Sequence, residues 1–256
     1  MNRLSLFALL SLLVSCVTQE KVQHATLIAH AGGAVGDFLY TNSRESLDSA
    51  LAKGYKYIEL DLQFTSDSIL VAAHSWEEFN KWTGFPQDSC SAPRLDDFKK
   101  RLIHGRYTPL TAAEINSFFM RHDSLFLVTD KVSDPEVLAE YFPELKERMV
   151  VEAFIYDHYK RLRREGYHLV LYSCMATDLS SALVKNLLFD KLFKGERIEW
   201  VSLHTSGLDY GMVKFLNRIR RFNLALFTVD SLDEIDKRFR DRARFIYTNK
   251  LLPADN

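Results

Sequence analysis

The sequence predicts an α/β protein of the TIM-type (β/α)8-barrel class, with one β-hairpin inserted after the second strand. Strand-like and helical patterns alternate from residue 25 onward, and nine strand candidates include one hairpin partner, which leaves eight for a barrel. The length beyond residue 25 is close to the roughly 250 residues usual for such a barrel. The alternative is an open doubly wound sheet. It is less favoured because residues 30–36, HAGGAVG, do not fit the G-x-G-x-x-G nucleotide fingerprint.

Residues 1–15 have the pattern of a bacterial lipoprotein signal peptide. Arg3 precedes an apolar run over residues 4–14, which is too short to span a membrane. The run ends in Leu-Val-Ser-Cys, and small residues before Cys16 resemble the lipobox, in which the cysteine is lipidated and becomes the mature N-terminus. The alternative is an ordinary secretory signal with an incidental cysteine. We therefore expect a lipid-anchored protein of the bacterial cell envelope, in the outer membrane or facing the periplasm.

The remaining chain predicts a short tether, residues 16–25, and one barrel domain, residues 26–256. A hydrophobic share of 47% is typical of a globular protein. A net charge of -1 gives no argument for binding to nucleic acid or to an anionic surface. Besides Cys16, only Cys90 and Cys174 are present, too few for a disulfide framework, and their pairing is left open. The sequence indicates no oligomeric state.

The strands are predicted from apolar runs rich in β-branched and aromatic residues, and the helices from amphipathic runs between them. The predicted strands are 26–30, 57–63, 69–74, 125–130, 150–154, 168–173, 200–204, 224–229 and 245–248. The predicted helices are 43–53, 112–121, 157–165, 179–192, 212–220 and 232–240. Asn42 with Glu45 and Thr111 with Glu114 have capping-box spacing at two helix starts.

The hairpin over residues 57–74 carries charged residues inside an apolar strand. Its polar break, residues 65–68, is too short for a crossover helix, so the two runs are expected to pair antiparallel. A turn centred on residues 66–67 would place Glu59 opposite His74, and strand alternation puts Asp61 on the same face as Glu59. Two carboxylates in a core strand need a partner, and a divalent cation is the simplest one.

His30 and His74 are each predicted at the end of a strand, where active sites of barrels are built. Taken singly, each histidine is explained by a buried, hydrogen-bonded imidazole, and Glu59 with Asp61 by a structural salt bridge. Their convergence at one end of the barrel favours a functional site.

At these residues the sequence resembles the glycerophosphodiester phosphodiesterases, a branch of the phospholipase-C-like barrels. The family's His-Arg-Gly resembles residues 30–32, its Pro-Glu-Asn-Thr residues 40–43, and its Gly-Ala-Asp-x-Ile-Glu-x-Asp residues 54–61, the most specific match. Its Thr-x-Asp-Gly turn and Val-x-x-His resemble residues 65–68 and 71–74, and its Glu-x-Lys strand resembles residues 129–131. The resemblance covers nearly the whole chain beyond the signal.

The resemblance implies hydrolysis of a phosphodiester, most simply a glycerophosphodiester or a related lipid head group. It implies His30 and His74 as general base and acid, and Glu59 and Asp61 as ligands of a divalent metal ion, commonly Ca²⁺ or Mg²⁺. Lys131 and Asn42 would contact the substrate phosphate. Asp130 is a further candidate ligand. In the family a neighbouring hydroxyl of the substrate is thought to attack first, which gives a cyclic phosphate.

Three family residues are replaced in this chain. The arginine after the first histidine is Ala31, the glutamate before the asparagine is Thr41, and the third carboxylate ligand aligns with Thr129. Strand alternation would then turn Asp130 away from the site unless the strand ends or bulges there. These losses leave two alternatives: a weakened barrel lipoprotein that binds a phosphorylated ligand or envelope glycan without turnover, and a metal-independent barrel enzyme.

Overall fold

Eight parallel strands form a closed barrel, and a ninth strand is added antiparallel to one of them. The computed structural model describes residues 21–22, 25–85, 90–173, 198–205, 223–235 and 243–253. The strands there are β1 (Lys21–Val22), β2 (Thr26–Ala29), β3 (Tyr57–Phe64), β4 (Leu70–Ala72), β5 (Phe126–Asp130), β6 (Met149–Ala153), β7 (Leu169–Ser173), β8 (Trp200–His204), β9 (Asn223–Phe227), β10 (Ala243–Thr248) and β11 (Leu252–Pro253). The α-helices are α1 (Arg44–Ala52), α2 (Trp76–Trp82), α3 (Leu95–Lys100), α4 (Ala112–Met120), α5 (Pro135–Tyr141) and α6 (Tyr156–Glu165).

The order around the barrel is β2, β3, β5, β6, β7, β8, β9 and β10, and β10 pairs with β2 to close the ring. Every neighbouring pair in this ring is parallel, and β4 pairs with β3 alone. The predicted barrel with an inserted hairpin is therefore confirmed, and the open doubly wound sheet is excluded. All nine predicted strands are present. His30 was expected to end the first strand but begins a 3-10 turn, His30–Gly32.

The inward and outward faces of the strands carry different clusters. The barrel interior is filled by the buried residues Ile28, Val128, Val150, Leu171, Ala225, Phe245 and Tyr247. A larger cluster, with outward residues such as Leu60 and Leu127, packs against helix residues such as Phe118. Glu59 pairs in register with the inward Val128, so Glu59 and Asp61 both face the interior, as alternation predicts.

The register between β3 and β5 corrects the expectation for Asp130. Asp61 pairs with Asp130, and Leu60 pairs with Thr129. Paired residues of parallel strands share a face, so Asp130 lies on the inner face with Asp61, and Thr129 lies on the outer face with Leu60. The expectation that alternation turns Asp130 away from the site is wrong, because the motif alignment placed the third carboxylate one residue early.

The hairpin also differs by one residue from the expected register. Gln63 pairs with Val71 and Phe64 with Leu70, which sets Leu60, and not Glu59, opposite His74. The cause is the turn: Thr65 N–H donates to the Ile69 carbonyl at 2.9 Å across a three-residue loop. Ser68 in that loop has φ +62°, the left-handed conformation that such loops need.

The helix starts show which capping predictions hold. Thr111 and Glu114 form the predicted capping box at α4. At α1 the box is formed by Ser43 and Ser46, so the prediction of Asn42 with Glu45 is wrong. Helices α2, α3 and α5 were not predicted, because six or seven residues are too few to show a helical period. The predicted helix 232–240 begins as a 3-10 turn, Leu232–Glu234, and its end, 236–240, lies outside the described residues, as do 179–192 and 212–220.

Part of the predicted tether lies against the barrel. Lys21–Val22 pairs in parallel with Leu252–Pro253. Cys90 is a free, exposed thiol, whereas Cys16 and Cys174 lie outside the described residues. Within the described ranges, no helix has the length and apolar character needed to cross a bilayer.

Candidate active site

A cleft of about 740 Å³ opens where the carboxyl ends of the barrel strands meet. Its wall includes most of the site residues predicted from the sequence: His30, Asp61, His74, Asp130 and Lys131. A smaller cavity of about 30 Å³, enough for a single water molecule, lies against Glu59. The predicted residues from β2, β3, the hairpin and β5 thus come together at one end of the barrel.

Three carboxylates, called here the carboxylate floor, lie where the cleft meets the small cavity. Glu59, Asp61 and Asp130 each present an oxygen atom, and these atoms lie within 4.8 Å of one another. Glu59 and Asp61 are only 1% exposed. Oxygen ligands in this number and spacing suit a hard divalent cation such as Ca²⁺ or Mg²⁺.

Neighbouring groups hold the carboxylates in place. The Ala31 N–H donates to Glu59 Oε2 at 2.7 Å, and the Asn42 amide donates to Asp61 Oδ2 at 2.9 Å. The Asp61 N–H returns a hydrogen bond to Asn42 Oδ1 at 3.0 Å. Glu59 Oε1 is buried and has no hydrogen-bond partner. A buried carboxylate oxygen without a partner is costly, so the residues present fit a bound cation.

Burial and neighbouring negative charge oppose the ionisation of Glu59 and Asp130. Burial raises the pKa of Glu59 well above its usual value, and the charges of Asp61 and Asp130 raise it further. Burial likewise raises the pKa of Asp130, with contributions from the charges of Glu152 and Asp61. A divalent cation reverses this cost because it neutralises charge held at close range.

His30 stands beside the carboxylate floor. Its Nε2 lies 3.9 Å from Glu59 Oε2, and its Nδ1 is 3.2 Å from the Thr228 hydroxyl. Burial lowers the pKa of His30 to about 4, against the opposing effect of the Asp61 charge. The imidazole is therefore neutral near pH 7, which is the state that a general base requires.

His74 faces the same cleft from the hairpin, and its Nδ1 hydrogen bonds to the Glu78 carboxylate. The ring of Tyr40 lies between the two histidines, with centroids 4.9 Å from His30 and 5.0 Å from His74. A carboxylate on Nδ1 orients the ring and compensates a positive charge on it. Glu78 therefore occupies Nδ1, which leaves Nε2 as the ring nitrogen for contact with a substrate.

Lys131 brings a positive charge to the cleft. Its backbone has φ +68°, and this left-handed residue follows directly after β5. The ammonium group lies 3.2 Å from Asp61 Oδ1 and also donates to the His74 carbonyl. Among the described residues that line the cleft, it is the one lysine or arginine.

The structure gives the contacts or the orientation of the three residues that replace family residues, Ala31, Thr41 and Thr129. Ala31 is buried and uses its backbone N–H to hold Glu59, whereas the Thr41 hydroxyl hydrogen bonds with that of Ser43 at 3.0 Å. Thr129 faces away from the site. Asn42 is occupied by Asp61 and by the Tyr40 carbonyl, so its expected contact with phosphate stays a prediction.

Several residues of the site were not selected from the sequence. Tyr40, Glu78 and Thr228 contact the histidines, and each depends on loop geometry that no periodicity reveals. Glu152 had a usable signal, a carboxylate within the apolar run of β6. It is buried on the inner face, borders the small cavity beside Glu59 and accepts a hydrogen bond from Ser202 at 2.9 Å.

Comparisons with known proteins agree with this geometry. A model of the glycerophosphoryl diester phosphodiesterase family matches residues 33–163, a range that contains the hairpin and the β5 site residues. A comparison with curated proteins finds no matching sequence.

Several solved phosphodiesterase structures share the fold. A putative glycerophosphoryl diester phosphodiesterase from Agrobacterium tumefaciens aligns with a TM-score of 0.69 and 15% identity, covering 90% of this chain and 95% of that one. The Thermotoga maritima glycerophosphodiester phosphodiesterase gives 0.66, with 15% identity and coverages of 90% and 96%. An Oleispira antarctica phosphodiesterase, solved with its product sn-glycerol-3-phosphate, gives 0.65, with 17% identity and coverages of 89% and 94%. Because the family model covers more than half of its length, the chain belongs to the glycerophosphoryl diester phosphodiesterase family and is a phosphodiesterase.

Proposed function

We propose that the protein hydrolyses glycerophosphodiesters with the help of one divalent metal ion, using His30 and His74 as the acid–base pair. The observation that supports this most strongly is the cluster of Glu59, Asp61 and Asp130, two of which line the same cleft as both histidines. Neither group alone specifies hydrolysis. Together they supply charge neutralisation and proton transfer, the two requirements for cleaving a stable phosphodiester anion.

The substrate phosphate would lie between the carboxylate floor and Lys131. Glu59, Asp61 and Asp130 would hold the metal ion, which when bound neutralises charge on the phosphate oxygens. The Lys131 ammonium adds a direct contact to a phosphate oxygen. The Lys131 side chain is 31% exposed, so its ammonium group is not fully desolvated in the cleft.

The two histidines would move the protons. His30, neutral at pH 7, takes the proton of the attacking hydroxyl group as the new P–O bond forms. His74, held by Glu78, delivers a proton to the departing alkoxide as the old P–O bond breaks. If the attacking group is a hydroxyl of the glycerol, the first product is a cyclic phosphate, which water then opens with the roles of the histidines exchanged.

The test is hydrolysis of glycerophosphocholine and glycerophosphoethanolamine by the purified protein, after chelation and after addition of Ca²⁺ or Mg²⁺. We expect activity that depends on metal and is lost in the His30→Ala, His74→Ala double variant. A matched control is His168→Ala, because His168 lies exposed at the opposite end of the barrel, directly before β7. Activity that survives the double substitution would refute the assigned acid–base pair.

We also propose that the protein is a lipoprotein of the bacterial cell envelope, anchored through Cys16. The proposal rests on the sequence of residues 1–16. A labelled fatty acid is expected to enter the wild-type protein and not the Cys16→Ser variant. Equal labelling of both would exclude lipidation at this position.

A further inference from the structure

The cleft extends beyond the proposed catalytic residues, along the loop after β5 and the start of α6. Ser133, Asp134 and His158 line this part of the wall. Ser133 Oγ lies 3.1 Å from His158 Nδ1, and His158 Nε2 lies 3.7 Å from Asp134 Oδ2. The separation of His158 Nε2 from Asp134 Oδ2 is too long for a hydrogen bond, so both atoms can still form hydrogen bonds with a ligand.

The backbone that carries these side chains is fixed on both sides. The Val132 N–H donates to the Asp130 carbonyl at 2.8 Å, which ties the loop to the carboxylate floor. Asp134 Oδ1 accepts from the Glu136 N–H at 2.9 Å, the first-turn cap of α5. Ser133 is only 6% exposed. The three groups are thus held in position before any ligand arrives, as a binding site requires.

Ser133 and His158 line the same cleft as Lys131, the residue proposed to contact the phosphate. Lys131, the proposed phosphate contact, is separated from Ser133 by one residue. Because all three residues line one cleft, a substrate whose phosphate lies at Lys131 can extend one of its two alcohol groups toward Ser133 and His158. The volume of about 740 Å³ is in the range of pockets that enclose a whole small-molecule ligand, so there is room for that alcohol.

The chemistry of the three side chains selects among alcohols. A hydroxyl and an imidazole offer both donors and acceptors, and the Asp134 carboxylate offers acceptors only. An alcohol that carries its own hydroxyl groups matches such a set, because each hydroxyl both donates and accepts. Ile155 and Val137 border the same wall and would cover the carbon skeleton. A second anionic group is disfavoured by Asp134.

We propose that Ser133, Asp134 and His158 form a subsite that binds the leaving alcohol of the phosphodiester and favours a polyol such as glycerol or inositol. This inference rests on the proposed hydrolysis of glycerophosphodiesters, and it adds the identity of the second alcohol. The subsite is separate from the acid–base pair, so its loss affects substrate binding more than the chemical step.

The test compares glycerophosphoinositol and glycerophosphoglycerol with glycerophosphocholine, three substrates that share the glycerophosphate half. In Ser133→Ala and in His158→Leu, KM for the two polyol substrates is expected to rise about tenfold, the effect of about one lost hydrogen bond in a buried site. For glycerophosphocholine, KM is expected to stay within about twofold, and kcat is expected to change little for all three. His158→Asn keeps a polar atom near Ser133 and should restore part of the preference.

Ser117→Ala and His168→Leu are matched controls, since both residues are exposed and lie outside the cleft. Equal increases in KM for all three substrates would indicate a merely structural role and overturn the proposal. So would unchanged kinetics, or a larger loss for an alcohol that carries an ammonium group.

A binding measurement separates this inference from the proposed function. Calorimetry on the His30→Ala variant gives Kd for the same three compounds, with and without Ser133→Ala. Tighter binding of the polyol compounds that Ser133→Ala removes supports the subsite even if the wild-type enzyme does not hydrolyse them. The absence of any preference among the three compounds would refute it even if all three are hydrolysed.

Discussion

Replacing Glu59 by glutamine is expected to have opposite effects on stability with and without a divalent metal ion. In the metal-free protein, Glu59 is buried against Asp61 and Asp130, and its Oε1 has no partner. Glutamine keeps the shape and an acceptor for the Ala31 N–H but removes the charge. The variant should therefore be at least as stable as the wild type when metal is absent. When metal is present the wild type should be the more stable protein, because it retains all three ligands.

The pH dependence follows from the direction of the pKa shift. Burial, and then the charges of Asp61 and Asp130, raise the pKa of Glu59 in the folded protein, so the neutral carboxyl favours the folded state. Its contribution to the free energy of unfolding is complete below the unfolded pKa of about 4.3. That contribution is lost as the pH rises through the folded pKa. Each unit between the two pKa values corresponds to about 1.4 kcal/mol. The metal-free wild type should thus lose more stability between pH 5 and pH 8 than Glu59→Gln, because glutamine has no proton to release over this range.

The size of the metal effect follows from linkage. A metal ion at a hundred times its Kd stabilises the folded state by about 2.7 kcal/mol. For a domain of this size, 1 kcal/mol shifts Tm by about 2–4 °C, so Ca²⁺ or Mg²⁺ should raise the wild-type Tm by about 5–11 °C. Thermal unfolding at pH 7.5, after chelation and after addition of metal, measures this shift. We expect a much smaller shift in Glu59→Gln.

The matched control is Glu147→Gln, an exposed carboxylate outside the cleft, which should show the wild-type response to metal. If metal raises the Tm of Glu59→Gln as much as that of the wild type, the assignment of the metal ligands is wrong. If the metal-free variant is also much less stable than the wild type at pH 8, the reasoning from mutual repulsion is wrong.

Three further predictions follow from the site and the loop that supports it. His30→Ala and His74→Ala should each lower kcat by about 10²–10⁴ in a hydrolysis assay, and a smaller loss would show that the imidazole transfers no proton. Lys131→Met should raise KM about tenfold or more, because a charge-assisted contact is lost, whereas the exposed Lys100→Met should leave KM unchanged. Gly32→Ala should destabilise the fold by more than about 2 kcal/mol in urea unfolding, since an added Cβ would lie 2.1 Å from Ser46 Oγ. Gly105→Ala, also at positive φ but with no atom within 4 Å, should cost only about 1 kcal/mol.

Periodicity and strand ends were sufficient to predict the barrel and the floor of its site. Glu59 and Asp61 were assigned to one face by alternation alone, and both lie there. Side chains at strand ends must meet at one rim once parallel strands close into a ring, which is why His30 and Lys131 reach the same cleft.

What the sequence could not predict depends on single residues in unusual backbone conformations. Ser68 in the left-handed conformation adds a residue to the hairpin turn and moves the register by one. Lys131, also left-handed, ends β5 and sends the chain toward Ser133. Neither residue is a glycine, so neither signals a positive φ in advance. Contacts between distant elements, such as Ser133 with His158, depend on these turns and could not be predicted from the sequence either.

By the resemblance, the two family residues replaced by Ala31 and Thr41 carry opposite charges, so we expect their joint loss to disturb the cleft less than either loss alone. Removing an arginine and a glutamate leaves the net charge of the cleft as it was, whereas removing only the arginine would leave the glutamate unpaired near an anionic substrate. At these positions the Ala31 backbone N–H donates to the Glu59 carboxylate, and the Thr41 hydroxyl hydrogen bonds with that of Ser43. Within the described cleft, we expect direct cationic contact to the phosphate to come from Lys131 and the proposed metal site. The remaining specificity must come from groups that contact the alcohol, which is the role inferred for Ser133 and His158.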